Sequence, residues 1–259
     1  MYKFLLTPKW IALHVICVLA IAGMLTACFW QLDRLHQRQD FNAEVTARTE
    51  APPVPFADIA DLAATDPAEA EWRTVTATGT YVPGKDFLVV NVSQGGVSGV
   101  DPVNGLLLDD GSVLIVNRGF VAGTDAPPPA PEGEVTVTGR VRRSQQARTG
   151  AASDDGTQQL TQIRRVDLDA LSQQFDQTVQ PVYLDQLDMR YEPATVQPVA
   201  PPDLDGGPPH LSYAIQWAVF SIAVLIGWVL AVRNGVNERK GKPKKRKLPP
   251  IADDWASTG

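Results

Sequence analysis

Two stretches of the chain, residues 10–30 and residues 211–232, are almost unbroken runs of apolar side chains. A bilayer core takes about 20 such residues as a helix, so each run is long enough to cross one. Lipid offers no partners to free N–H and C=O groups, which predicts helix throughout both runs, with Gly23 and Gly227 tolerated inside. Trp10 and Trp30 bracket the first run, and Tyr213 and Trp228 sit at interface depth on the second. Helical spacing continues beyond Gln31 through Leu32, Leu35 and Val45, with Arg34, Arg38 and Glu44 between them, until Pro52 and Pro53 stop it. Residues 54–71 are rich in Ala and Asp and predict a loop or a short helix.

The period then changes to two. Thr74, Thr76, Thr78 and Thr80 alternate with Arg73, Val75, Ala77, Gly79 and Tyr81, the pattern of a half-buried strand over residues 72–82. Further strands are predicted at residues 87–92, 104–108, 113–116, 135–141 and 182–185. Asp109-Asp110-Gly111-Ser112 makes a hairpin turn, residues 127–131 a proline-rigid linker, and residues 167–175 a short helix with Asp near its start. Residues 193–209 form an extended connection to the second run. Consecutive strands favour an antiparallel sheet or small barrel. The expected fold is an α+β membrane protein, two transmembrane helices flanking an antiparallel β-rich extracytoplasmic domain.

Charge orients it. Residues 31–210 hold 13 Lys+Arg against 26 Asp+Glu, a net of −13, whereas the two outer segments hold 10 against 3, a net of +7. Basic flanks stay in the cytoplasm, which gives a cytoplasmic N-terminus at 1–9, spans at 10–30 and 211–232, an extracytoplasmic domain at 31–210 and a basic cytoplasmic tail at 233–259. The run from Lys240 to Lys247 therefore reads as a topology signal that touches anionic lipid, and no nucleic acid is expected as a partner. Both cysteines, Cys17 and Cys28, lie in the first run, so the outer domain has no disulfide or thiolate metal site. Leu25-Thr26-Ala27-Cys28 is similar to a lipobox, which leaves open an extracytoplasmic binding lipoprotein lipidated at Cys28. Against this, the apolar run is longer than a signal core and Phe29-Trp30-Gln31-Leu32 is no flexible tether.

Four short motifs, in order, resemble one family. They are Trp30-Gln31-Leu32-Asp33-Arg34-Leu35, Arg73-Thr74-Val75-Thr76-Ala77-Thr78-Gly79-Thr80-Tyr81, Val116-Asn117-Arg118-Gly119-Phe120-Val121 and His210-Leu211-Ser212-Tyr213-Ala214-Ile215-Gln216-Trp217. The chain resembles the surfeit locus protein 1 family over about residues 30–228, with Phe120 in place of the family's Trp, Ala122 in place of Pro and Val103 in place of Leu. The resemblance implies an assembly factor that acts while the haem-a centre of cytochrome c oxidase is built. Its partners would be oxidase subunits, above all the catalytic one. It also implies transient haem a binding through the second-span histidine, here His210.

The residues test that implication in part. The histidines are His14, His36 and His210. His14 lies 16 residues before Trp30, about 24 Å along a helix, so it cannot share an iron with His210. His36, six residues past Trp30, is geometrically possible as a second ligand, though a solvated helix residue is the plainer reading. Tyr213, Trp217, Ser221 and Trp228 fall near His210 on one helical stripe, which suits a flat apolar macrocycle; interface anchoring explains the same aromatics. Arg118 follows an apolar strand and either binds a propionate or a partner's carboxylate, or closes a turn through backbone carbonyls. No catalytic constellation is expected, and the alternative to an assembly factor is a stably bound accessory subunit without a cofactor role.

Overall fold

A computed structural model describes residues 2–123, 126–147 and 152–241. Its elements in chain order are a long helix α1 (Pro8–Glu50), β1 (Val54–Pro55), two short helices α2 (Ala60–Thr65) and α3 (Pro67–Ala70), and then β2 (Thr74–Gln94), β3 (Val97–Leu108), β4 (Val113–Asn117), β5 (Phe120–Ala122), β6 (Glu134–Arg143) and β7 (Gln162–Ile163). After these come α4 (Leu168–Ser172), β8 (Val179–Gln186), β9 (Val196–Gln197) and a second long helix, α5 (His210–Gly241). They form two compact units, a helical one drawn from Met1–Gln39 and Gly207–Gly259 and a sheet-rich one from Asp40–Gly206.

In the sheet-rich unit β2 pairs with β6, β6 with β8, β8 with β4, β4 with β3, and β3 with β2 again, so five strands close into a small barrel. The sheet is mixed, which corrects the antiparallel expectation: β4 and β8 run parallel, as do β1 with β2 and β2 with β7. The chain between β4 and β8 contains two strands of its own, β5 and β6, besides β7 and α4. It is therefore long enough to bring β8 back in the same direction, a crossover that alternation within a strand cannot reveal.

The alternation at the start of β2 is met by burial of Val75, Ala77 and Tyr81. β2 does not stop at Pro83 and Gly84. A register shift between Tyr81 and Asp86 keeps it paired with β3, and past that point the buried residues are Phe87 and Val89. The bulge turns the strand, so Val75, Ala77 and Tyr81 join one core while Phe87 and Val89 join another. β4 feeds both cores, Leu114 and Val116 on one face and Val113 and Ile115 on the other, which explains its continuous apolar run. The predicted turn between β3 and β4 is present, with Gly111 at φ +80° and the Asp110 carboxylate accepting from the Ser112 N–H at 2.8 Å. Asp167 caps α4 by accepting from the Asp169 N–H.

Both long helices have the length and apolar content of candidate membrane spans. In the helical unit their large apolar side chains point outward: Ile16, Leu19 and Phe29 on α1 and Ile215, Val219 and Ile226 on α5 are all exposed. Lys242–Lys247, in the basic tail, lie outside the described residues.

Candidate functional site

On α1 a line of shielded positions recurs with a seven-residue period, at Trp10, His14, Cys17, Ile21, Met24, Cys28, Gln31, Leu35 and Arg38, flanked by the half-buried Leu13, Ala20, Ala27 and Leu32. On α5 the matching line is His210, Ala214, Trp217, Ser221, Val224, Trp228, Ala231 and Gly235, with Ala218, Val232 and Val236 half-buried beside it. A seven-residue repeat of alternating three- and four-residue steps is the seam of two helices wound on each other. Four contacts fix the pair as antiparallel. The Trp10 ring lies where a Cβ on Gly235 would be, the Trp228 Nε1–H donates to His14 Nδ1 at 2.8 Å, His210 bonds Gln31, and the Arg38 guanidinium rests on Gly207. The most shielded α5 positions are the small residues Ala214 and Ser221, which allow the close approach that helix pairs in lipid depend on.

The stripe foreseen around His210 is thus largely the seam itself. Ser221 is buried, Trp228 is tied to His14, and Trp217 is half-buried with its ring edge-on to Phe220 at 6.2 Å. Tyr213 is exposed. His36 is exposed five residues beyond Gln31, about 140° around the helix from it, so the seam that meets His210 does not carry His36. His14 lies between the rings of Trp10 and Trp228, at 5.9 and 5.6 Å, as a packing residue. Cys28 is half-buried on the same seam, within the unbroken α1 helix.

His210 opens α5, and its Nδ1 lies 2.7 Å from Gln31 Oε1. Where that oxygen accepts a hydrogen bond from Nδ1–H, the Nε2 lone pair is left free, and Nε2 has no hydrogen-bond partner among the described residues. This is the state a haem or other metal requires of histidine: one ring nitrogen free, the other donating to a carbonyl that holds the ring in place. His210 Nε2 would therefore be the nitrogen able to hold a metal such as the iron of a haem. Gln31 lies in the Trp30–Leu35 motif, but nothing in the sequence pairs it with a residue 179 positions away.

The sheet-rich unit holds two buried polar clusters. Arg118 is 1% exposed and commits all five of its N–H donors. Nε and Nη2 reach the two Glu192 carboxylate oxygens at 2.8 and 2.6 Å; Nη1 reaches Asn104 Oδ1 and the Pro128 carbonyl, and Nη2 the Pro129 carbonyl. Of the two readings of Arg118, the structural one holds: it closes the proline linker through backbone carbonyls and spends its charge on a carboxylate of its own chain. The second cluster crosses four strands, from Arg140 on β6 past its register partner Asp185 on β8 to Asn117 on β4 and Asp101 on β3. The Asn117 amide donates to Asp101 Oδ2 at 3.2 Å and Asp185 Oδ1 at 3.3 Å, and Arg142 Nη1 donates to Asp185 Oδ2 at 3.3 Å. Burial pushes Asp101 up to about 6 against the pull of the Asn117 hydrogen bond, with the Asp185 charge adding to the rise. Burial raises Asp185 too, opposed by Arg142 and Arg140.

An uncharacterized SURF1-like protein of Mycobacterium bovis and another of Mycobacterium tuberculosis are each 30% identical to this chain over 236 residues, covering 86% of it and 83% of their own length. A SURF1-like protein of Monosiga brevicollis is 27% identical over 227 residues, covering 80% of this chain and 83% of its own. The SURF1 family profile matches residues 18–222, a stretch that takes in Gln31, the whole barrel and His210. With most of its length inside that match, the chain belongs to the SURF1 family.

Proposed function

We propose that this protein is a membrane-bound assembly factor for haem-copper cytochrome c oxidase that holds haem a transiently on His210 while the haem-a centre of the catalytic subunit is formed. SURF1 proteins are known in general as cytochrome oxidase assembly factors, which supports the broad role. The observation that carries the finer reading is the His210–Gln31 bond, because it leaves Nε2 with a free lone pair at the start of α5. Haem a bound there supplies the iron and macrocycle that the oxidase needs; the protein contributes the ligand, the ring orientation and the exposed Tyr213 beside it. Binding and presentation, not catalysis, is the proposed mode of action.

In this reading α1 and α5 cross the cell membrane, both termini are cytoplasmic, and the sheet-rich unit is extracytoplasmic. Their outward apolar faces and small-residue seam support the crossing, as the reverse of what a water-exposed helix pair would present. The basic flanks and the net −13 between them support the orientation. The partners are then oxidase subunits, the catalytic one first, and membrane lipid.

Deletion of the protein from its own cells is expected to lower haem-a absorbance in membranes while b-type signals persist. Pull-down of the intact chain from detergent-solubilised membranes is expected to recover the oxidase catalytic subunit together with haem-a pigment. An unchanged membrane spectrum after deletion would count against the assembly role, and recovery of the subunit without pigment would count against the haem role alone.

A further inference from the structure

The geometry points to Gln31 as the positioning residue of this site: its side-chain carbonyl sets which nitrogen of His210 can bind iron, and it does so only while α1 and α5 are zipped together. The inference rests on the reading of His210 as a haem ligand.

A neutral imidazole free in water carries its proton mainly on Nε2, the nitrogen that points away from the backbone. In that tautomer the nitrogen that a haem would approach is blocked by hydrogen. Gln31 Oε1, 2.7 Å from Nδ1, draws the proton to Nδ1 and reverses the preference. The two partners come from different helices and occupy equivalent seam positions, Gln31 on α1 and His210 on α5. A slip of the seam by one residue would turn either side chain about 100° away and release the bond. The contact of Arg38 with Gly207 one heptad further on places the chain just before His210 on the same seam. Ligand readiness is therefore coupled to helix pairing, and by linkage haem binding stabilises the paired state. A carbonyl partner also makes the imidazole a stronger donor to iron, so Gln31 tunes the ligand besides orienting it.

The test has a readout that needs no haem. Full-length chain labelled with 15N-histidine is measured in detergent micelles by NMR, with His210→Ala used to assign the His210 signals. His14 is an internal reference of opposite sense, because it accepts from Trp228 at Nδ1. Wild type is expected to show the Nδ1–H tautomer at His210, and Gln31→Leu the Nε2–H tautomer. Added haem a is expected to bind Gln31→Leu at least tenfold more weakly than wild type, the usual scale for loss of such a partner. Gln31→Glu preserves shape and accepts more strongly, so it keeps the tautomer, keeps haem a and lowers its reduction potential. Circular dichroism checks that each variant folds, and the glutamate variant keeps the question answerable if leucine disturbs the seam. A Gln31→Leu chain with the wild-type tautomer overturns the inference, whether or not its haem affinity falls. A wild-type chain that shows the Nδ1–H tautomer but binds no haem a overturns the underlying reading of His210 instead.

Discussion

Replacing Arg118 with Met should destabilise the barrel by about 3–5 kcal/mol, the cost of removing one partner of a buried ion pair. The structure says where that cost arises. The Glu192 side chain is 0% exposed, and without Arg118 its carboxylate is left uncompensated or must take up a proton. The carbonyls of Pro128 and Pro129 and the Asn104 amide oxygen lose donors at the same time, each worth about 1–3 kcal/mol if no water replaces them. For a domain of this size each kcal/mol moves the midpoint by roughly 2–4 °C, so a fall of at least about 6 °C is expected. The assay is thermal unfolding of the full chain in detergent, followed by near-ultraviolet circular dichroism, because Tyr81 packs 5.9 Å from the guanidinium. Arg118→Lys keeps the charge but loses the fork and should fall between the two. Arg118→Met combined with Glu192→Gln should recover part of the loss. A midpoint within about 2 °C of wild type for Arg118→Met would refute the account of this cluster, on the same scale.

Other outcomes follow from the same packing. Asp101 has a folded-state pKa of about 6 against an ordinary 3.8, so the folded chain binds a proton between those values that the unfolded chain does not; stability should fall by up to about 3 kcal/mol as pH rises through that window. Asp101→Asn should flatten this slope and raise stability at pH 7.5, and a variant with the wild-type pH profile in denaturant titrations would contradict it. On a Cys17→Ser, Cys28→Ser background, Gln31→Cys with His210→Cys should cross-link readily with a short bis-maleimide, whereas Gln31→Cys with Trp228→Cys should not; the reverse would show a different helix register. Ser221→Phe should overpack the seam and cost about 1–3 kcal/mol in resistance of the helix pair to denaturing detergent, and an unaffected chain would argue against a close seam there.

Some of this was legible along the chain and some was not, for reasons that can be named. The helix that starts in the first apolar run and ends before Pro52 was readable because its signals are local: periodicity and a terminating proline pair. The same holds for the alternation that opens β2 and for the Asp-Gly turn before β4. The two-residue strands β1, β7 and β9 carry no periodicity, since two residues cannot display one. β2 read as two strands because Pro83 and Gly84 look like a break, whereas a bulge keeps the pairing intact. Contacts between distant residues were the real gap. Arg118 is marked by its motif, but Glu192, 74 residues on, carries no such signal, and the motif that holds Gln31 does not point to His210. His210, Trp217, Ser221 and Trp228 lie along the seam with α1, while Tyr213 is exposed; that α1 occupies this face depends on a second helix whose register no single segment encodes.

Spectrophotometric titration of the purified full chain with haem a decides the central claim most directly. Wild type should bind one haem a per chain with the spectrum of a histidine-ligated iron. His210→Ala should lose that spectrum, and His36→Ala should retain it. Equal binding by wild type and His210→Ala, or none by either, would contradict the assignment of His210.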